Sequence, residues 1–150
     1  MYSDGSALEQ LSREECLRLM ASVSVGRIVY TRRALPAVEL VNFAFDHGDI
    51  IIRTDRGGKL AVATQHSVVA FEADRLDVDQ RAGWSVTAIG QSWEVTDPAE
   101  IGQLQEIGLS SWAPGVREHF IRISPEILNG RRLHVSGQPT PADHPPPVAS

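Results

Sequence analysis

The residues best placed to do chemistry stand together between positions 50 and 59. Ile50-Ile51-Ile52 reads as a strand that Arg53 and Thr54 end, and Asp55-Arg56-Gly57-Gly58 breaks the pattern before Lys59 opens a helical turn. Free backbone N–H groups at a helix start, a glycine pair that allows close approach and flanking cations together form an anion cradle. Arg53, Thr54, Arg56 and Lys59 can all face one phosphate. The same residues also suit a solvated connection between hairpin and helix, because the spacing matches neither the Walker nor the dinucleotide glycine pattern. Lys59 adds interest: of the 14 basic residues it is the only lysine, a compact point charge among guanidinium forks.

Other reactive types are less organised. His66 and His119 lack the spacing of a metal pair, so no metal site is expected. A single cysteine, Cys16, excludes a disulfide framework and a multi-cysteine cluster, and it reads as a small buried hydrophobe. No G-x-S-x-G elbow is present. Glu39 and Glu72 lie in strands and are expected to pair with arginines. Trp84 and Trp93 lie nine apart on one predicted strand and so face opposite sides, one inward and one free for an interface or planar ligand. Asn42 is a polar amide inside the apolar run Val38–Phe45, placed to point outward or to read a ligand.

The elements that must position these groups are short. The chain has 150 residues, 42% of them hydrophobic and 22% charged, which suits one soluble domain. A net charge of −5 argues against a nucleic-acid partner. No apolar run approaches the roughly 18 residues of a membrane span, and the first residues lack the basic flank and apolar run of a signal peptide. The expectation is a cytoplasmic protein with no membrane partner.

Residues 1–10 carry few apolar anchors and are expected to be a flexible arm. Ser12 caps a helix, with Glu15 completing a capping box and Leu11 and Cys16 forming a hydrophobic staple. After Ser24 the apolar period changes from helical to alternating. Strands are expected at Val25–Thr31, Ala37–Phe45, Asp49–Thr54, Ser67–Asp74, Trp84–Val95 and His119–Ser124. A helical turn at Lys59–Gln65 and a second helix, capped by Asp97 with Pro98 and Glu100 and stopping at Gly108, interrupt them. Strands joined by tight turns and split by few helices imply an antiparallel barrel in a mainly β (α+β) fold, not a parallel sheet. The folded domain is expected to span residues 11–135. Residues 136–150 hold five of the nine prolines and little to bury, so that tail is expected to be disordered.

The order of the blocks resembles a known family. A capped helix leads to Val25-Gly26-Arg27-Ile28, then Pro36-Ala37-Val38-Glu39-Leu40-Val41-Asn42-Phe43, the stretch Ile50–Lys59 and a strand ending Phe71-Glu72-Ala73-Asp74. Gly83-Trp84-Ser85-Val86-Thr87-Ala88-Ile89-Gly90 follows, and Arg122-Ile123-Ser124-Pro125 through Asn129-Gly130-Arg131-Arg132 closes the set. Together they are similar to the pyridoxamine 5′-phosphate oxidase-like superfamily, the FMN-binding split β-barrels. The resemblance implies a homodimer with FMN at the subunit interface and a small-molecule substrate. By the same resemblance Arg53, Thr54, Gly57, Gly58 and Lys59 hold the phosphate, and Val41 and Asn42 lie along the isoalloxazine ring. Trp84 and Ser85 reach the flavin from the partner subunit. The basic C-terminal motif that grips pyridoxal phosphate in the true oxidase has no match here, and no catalytic acid or base is assigned. The expected function is an FMN-dependent oxidoreductase of the flavin-reductase kind. The alternatives are an F420-dependent reductase of the same fold and a non-enzymatic module for flavin or haem. Truncation at Gly137 should leave thermal stability and ligand content unchanged, because residues 137–150 offer almost no apolar area; a melting curve of the shortened chain checks this.

Overall fold

The computed structural model of the chain describes residues 6–54, 59–109 and 119–135. The eight strands are β1 (Ser6–Gln10), β2 (Val25–Arg32), β3 (Leu35–Asp46), β4 (Asp49–Thr54), β5 (Ser67–Asp77), β6 (Ala82–Glu94), β7 (His119–Ile123) and β8 (Ile127–Val135). The helices are α1 (Arg13–Met20), α2 (Lys59–Thr64) and α3 (Pro98–Gln105). The predicted tail at 136–150 lies outside the described residues.

Alternation builds the barrel. β-branched and aromatic side chains recur at every second position, so one face of each strand can be apolar throughout. The antiparallel order β6-β5-β2-β3-β4-β7 closes when β7 returns to β6 through the pairs Ser92–Ile123, Trp93–Arg122 and Glu94–Ile121. These are the six strands the sequence predicts. Ile28, Phe43, Ile52, Phe71, Val86 and Ile121 fill the interior, all nearly or fully excluded from solvent. The rings of Phe43 and Phe71 meet edge to face at 4.7 Å, a geometry that adds to their burial.

Strand β6 is where the barrel splits. One edge pairs with β5 from Ala82 to Ser92, while the other is shared, Gly83–Ile89 with β8 and Ser92–Glu94 with β7. At the junction the chain leaves β7 and crosses Gly90, and the Ser124 carbonyl oxygen occupies the place where a Cβ would stand. The crossing is pinned by Ser124 N–H donating to the Gln91 carbonyl at 3.0 Å. Only a glycine at this position leaves room for that contact.

The helices stopper the barrel. α1 starts at Ser12, whose hydroxyl accepts from the Glu15 N–H at 3.2 Å, and it buries Cys16, Leu19 and Met20 against the core. It lies so close to β8 that a Cβ on Gly130 would stand 2.5 Å from Cys16 Sγ. α2 buries Leu60, Ala61 and Thr64 in the same core. α3 packs Leu104 and Ile101 with Ile51, Val95, Leu109 and Phe120 in a second, smaller cluster.

Two expectations need correction. The capping-box acids do not turn back to their caps. Glu15 instead accepts from Arg18 at 3.1 Å and from Arg132 at 3.0 Å, and Glu100 accepts from Arg122 at 3.0 Å. Arg122 and Arg132 are buried, and a desolvated guanidinium claims a carboxylate more strongly than a neutral backbone N–H does. Residues 6–10 are also not a free arm: they form β1, paired to β8 from Ser6–Val135 to Gln10–Arg131. Neither β1 nor β8 shows apolar alternation: β1 is a sheet edge held by backbone pairing, and the covered positions of β8 include Gly130 and Arg132.

Gly90→Ala should destabilise the fold by about 3 kcal/mol or more, since no rotamer change moves a backbone carbonyl. Gly102→Ala, in α3 with open space at its Cβ position, should instead stabilise by about 0.5–1 kcal/mol. Urea denaturation of the two variants checks the contrast.

Candidate functional site

The site is built from strand ends. β4 finishes at Arg53 and Thr54, which stand opposite Phe120 and His119 of β7. The β3–β4 pairing runs to Phe43–Ile52, and the same register continued sets Asn42 beside Arg53 and Val41 beside Thr54. Four residues picked from sequence are thus brought to one place. Val41 packs on the barrel core and Asn42 is half-buried on the outer face. Arg53 is oriented rather than loose: its guanidinium donates to the Leu109 carbonyl at 2.8 Å and lies 6.0 Å from the Phe120 ring centroid. Thr54 is nearly buried. Gly57 and Gly58 lie outside the described residues, and Lys59 is placed as the first residue of α2.

Strand β6 sorts the other two candidates. Trp84 is only 4% exposed and belongs to the barrel core, so its indole is not a surface group able to reach a partner's ligand. Trp93, of opposite parity, is the more exposed of the pair. Ser85 faces outward in place of Trp84. Through the pairs Asn42–Val25, Asp74–Ser85 and Ser85–Arg131, Ser85 and Asn42 share one outer row, with Val25 and Asp74 between them. Three strand spacings separate them, roughly 14 Å, too far for both to touch one edge of a planar ring within one chain.

The next rows on that face show what the sequence did not. Arg27 bridges two carboxylates, Glu72 at 3.0 Å and Asp74 at 3.2 Å. Burial, first, and then the hydrogen bond and charge of Asp74 push the Glu72 carboxyl up to about 7, against the opposing pull of Arg27. Glu72 thus finds the arginine expected for it, whereas Glu39 accepts instead from the Tyr30 hydroxyl at 3.1 Å. Beyond the triad runs an apolar row across five strands, Val38, Val29, Ala70, Ile89 and Ile127, with Val38 62% and Ile127 54% exposed. Leu40, 49% exposed, adjoins it. Strand register carries this row, and no periodicity within one segment reveals it.

His119 donates or accepts through Nδ1 with Glu94 at 2.7 Å, across the β6–β7 seam. No group of three or more metal-ligating side chains occurs among the described residues. No described helix is long and apolar enough to cross a membrane.

Comparison with known proteins places this geometry. The family model described as pyridoxamine 5′-phosphate oxidase matches residues 12–132, and the chain belongs to that family. The uncharacterised protein Rv0080 of Mycobacterium tuberculosis is 42% identical over 129 residues, covering 83% of this chain and 84% of the relative. Among solved structures, a candidate pyridoxamine 5′-phosphate oxidase of Corynebacterium glutamicum superposes with a TM-score of 0.76 at 33% identity, over 86% of this chain and all of that one. The FAD binding protein of Mycobacterium smegmatis superposes with a TM-score of 0.70 at 34% identity, over 83% of this chain and 97% of its own. The split barrel expected from the sequence is therefore both the family's and the one observed.

The Glu72 shift has a stability consequence. Its carboxyl binds a proton more tightly folded than unfolded, so its contribution is complete below about pH 4.5 and is lost as pH rises through about 7. The fall should be on the order of 1–3 kcal/mol, and Glu72→Gln should abolish it. Urea denaturation of both proteins across that window tests the assignment.

Proposed function

We propose that this chain is a homodimeric flavoprotein that binds FMN between two subunits and uses it to transfer hydride or electrons to or from a small molecule. The observation that carries the reading is the gathering of Val41, Asn42, Arg53 and Thr54 at one strand end, with Ser85 on the same outer face but about 14 Å from Asn42. A second copy of the chain brings a Ser85 to the first copy's Asn42. The apolar row from Val38 to Ile127 supplies the kind of surface a two-fold interface buries, because the same patch then meets itself. Relatives support the ligand class: the M. smegmatis protein is a named FAD binding protein.

The residues present fit such a cofactor. Arg53 offers a fixed cation at the strand end, and Thr54 stands beside it, with Lys59 five residues beyond the described end of β4. Val41 gives a packed apolar edge against which a flat ring can lie, and the Asn42 amide brings both a donor and an acceptor. When bound, the flavin itself supplies the redox chemistry. The protein's part is to orient the ring, balance the phosphate charge and exclude water, so no side chain is given an acid or base role. Trp84 contributes from within the core, by holding the strand that presents Ser85.

An absorption spectrum and the mass of the released cofactor test the reading directly. FMN is the expected product; FAD would keep the flavin site and change the cofactor, while a Soret band would favour the haem-binding alternative. Lys59→Ala should weaken FMN binding by about 1.5–3 kcal/mol, roughly 10–150-fold, with the fold intact. Sedimentation of the loaded protein should show a dimer stabilised by the ligand that bridges it. A flavin-loaded monomer would sink the shared site.

A further inference from the structure

A cleft of about 480 Å³ opens on the outer face between the turn joining α1 to β2 and the far end of β5. It lies outside the residues assigned to the flavin, but its wall residue Val25 is the register partner of Asn42. Ala21, Val23 and Val25 give it an apolar wall, and Ser22 and Ser24 give it hydroxyls. Its charged rim is made by Arg27, Asp74 and Arg75.

The charges on that rim are not equivalent. Arg27 is spent on Glu72 and Asp74. The raised affinity of Glu72 for a proton removes part of the second negative charge of that triad near neutral pH. Arg75 is exposed and makes no ion pair or hydrogen bond among the described residues. In a chain whose net charge is −5, the cleft therefore presents one guanidinium that no described carboxylate pairs, beside an apolar wall. The volume is that of a site for a small organic molecule, far larger than an inorganic anion needs. A planar fork of donors beside an apolar surface suits a carboxylate carried on a hydrocarbon body.

We propose that this cleft binds a small organic carboxylate, with Arg75 holding the anion and Ala21, Val23 and Val25 packing its apolar part. The assignment of this ligand as the reactant, next to the ring, rests on the flavin reading; the binding site itself does not.

Calorimetric titration of the purified full chain with benzoate, and with benzamide as its neutral counterpart, tests the inference. Benzoate should bind in the millimolar range and benzamide at least about tenfold more weakly. Arg75→Gln, at an exposed position whose side chain has no ion pair or hydrogen bond among the described residues, should cost benzoate about tenfold or more while leaving the melting temperature unchanged. Ser24→Phe should block the cleft and abolish binding. Equal binding of benzoate and benzamide, no effect of either substitution, or no benzoate binding below about 10 mM would each overturn the proposal. Because calorimetry needs no chromophore, a protein that binds benzoate but carries no flavin keeps the cleft and loses the flavin reading. A protein that carries flavin but ignores benzoate does the reverse. A benzoate-dependent shift of the flavin absorption band, absent in Arg75→Gln, would place the acid beside the ring.

Discussion

One backbone contact sets the architecture: the Ser124 carbonyl rests on the Cα of Gly90. Because nothing projects from Gly90, the chain leaving β7 can cross β6 and turn down its remaining edge as β8. The upper part of β6 then closes the barrel through only three pairs with β7, and its lower part carries β8 and, through it, β1. A side chain at Gly90 would force the two strands apart and leave the edge of β6 that β7 and β8 share unsatisfied. β8 widens the outer face that holds Asn42 and Ser85, setting Arg131 beside Ser85 and adding Ile127 to the apolar row.

Two buried arginines fasten the helices to this frame. Arg122 on β7 gathers Asp46 at 2.8 Å, Asp49 at 3.1 Å and Glu100 at 2.9 Å, joining the β3–β4 turn to α3. Arg132 on β8 gathers Glu15 of α1 at 3.0 Å and Glu9 of β1 at 3.7 Å. Each guanidinium leaves water and takes charge-assisted partners in return, an exchange whose worth lies more in fixing one arrangement than in net stability. The cost of this arrangement falls on the helix starts, where Glu15 and Glu100 are unavailable to complete a capping box.

The outer face divides into zones with different physical character. Toward one end stand Asn42 and Ser85, in the middle the Arg27–Glu72–Asp74 triad, and beyond it the apolar row. A like-charged carboxylate pair on a half-covered sheet is tolerable because Arg27 serves both members and Glu72 can hold a proton near neutral pH. Further burial of this face, by a second chain or by a ligand in the neighbouring cleft, would raise that proton affinity again by desolvation.

The amino-acid sequence by itself determined the elements whose signals are local. Alternation marked the six barrel strands, Ser12 and Asp97 marked the helix starts, and the run from Arg53 to Lys59 marked a strand end rich in cations. It also supplied Val41 and Asn42, through the order of blocks shared with a family. Parity alone required one of Trp84 and Trp93 to be core, but the packing decided that it was Trp84. The tertiary structure decided everything that depends on register between distant strands. Arg27 and Glu72 are 45 residues apart, and only the β2–β5 pairing makes them neighbours. β1 was invisible because an edge strand pairs through backbone groups that every residue carries, and β8 because Gly130 and Arg132 stand at its covered positions and break the apolar period. The apolar row across five strands takes one residue from each, and a single residue per segment has no pattern until the sheet aligns it.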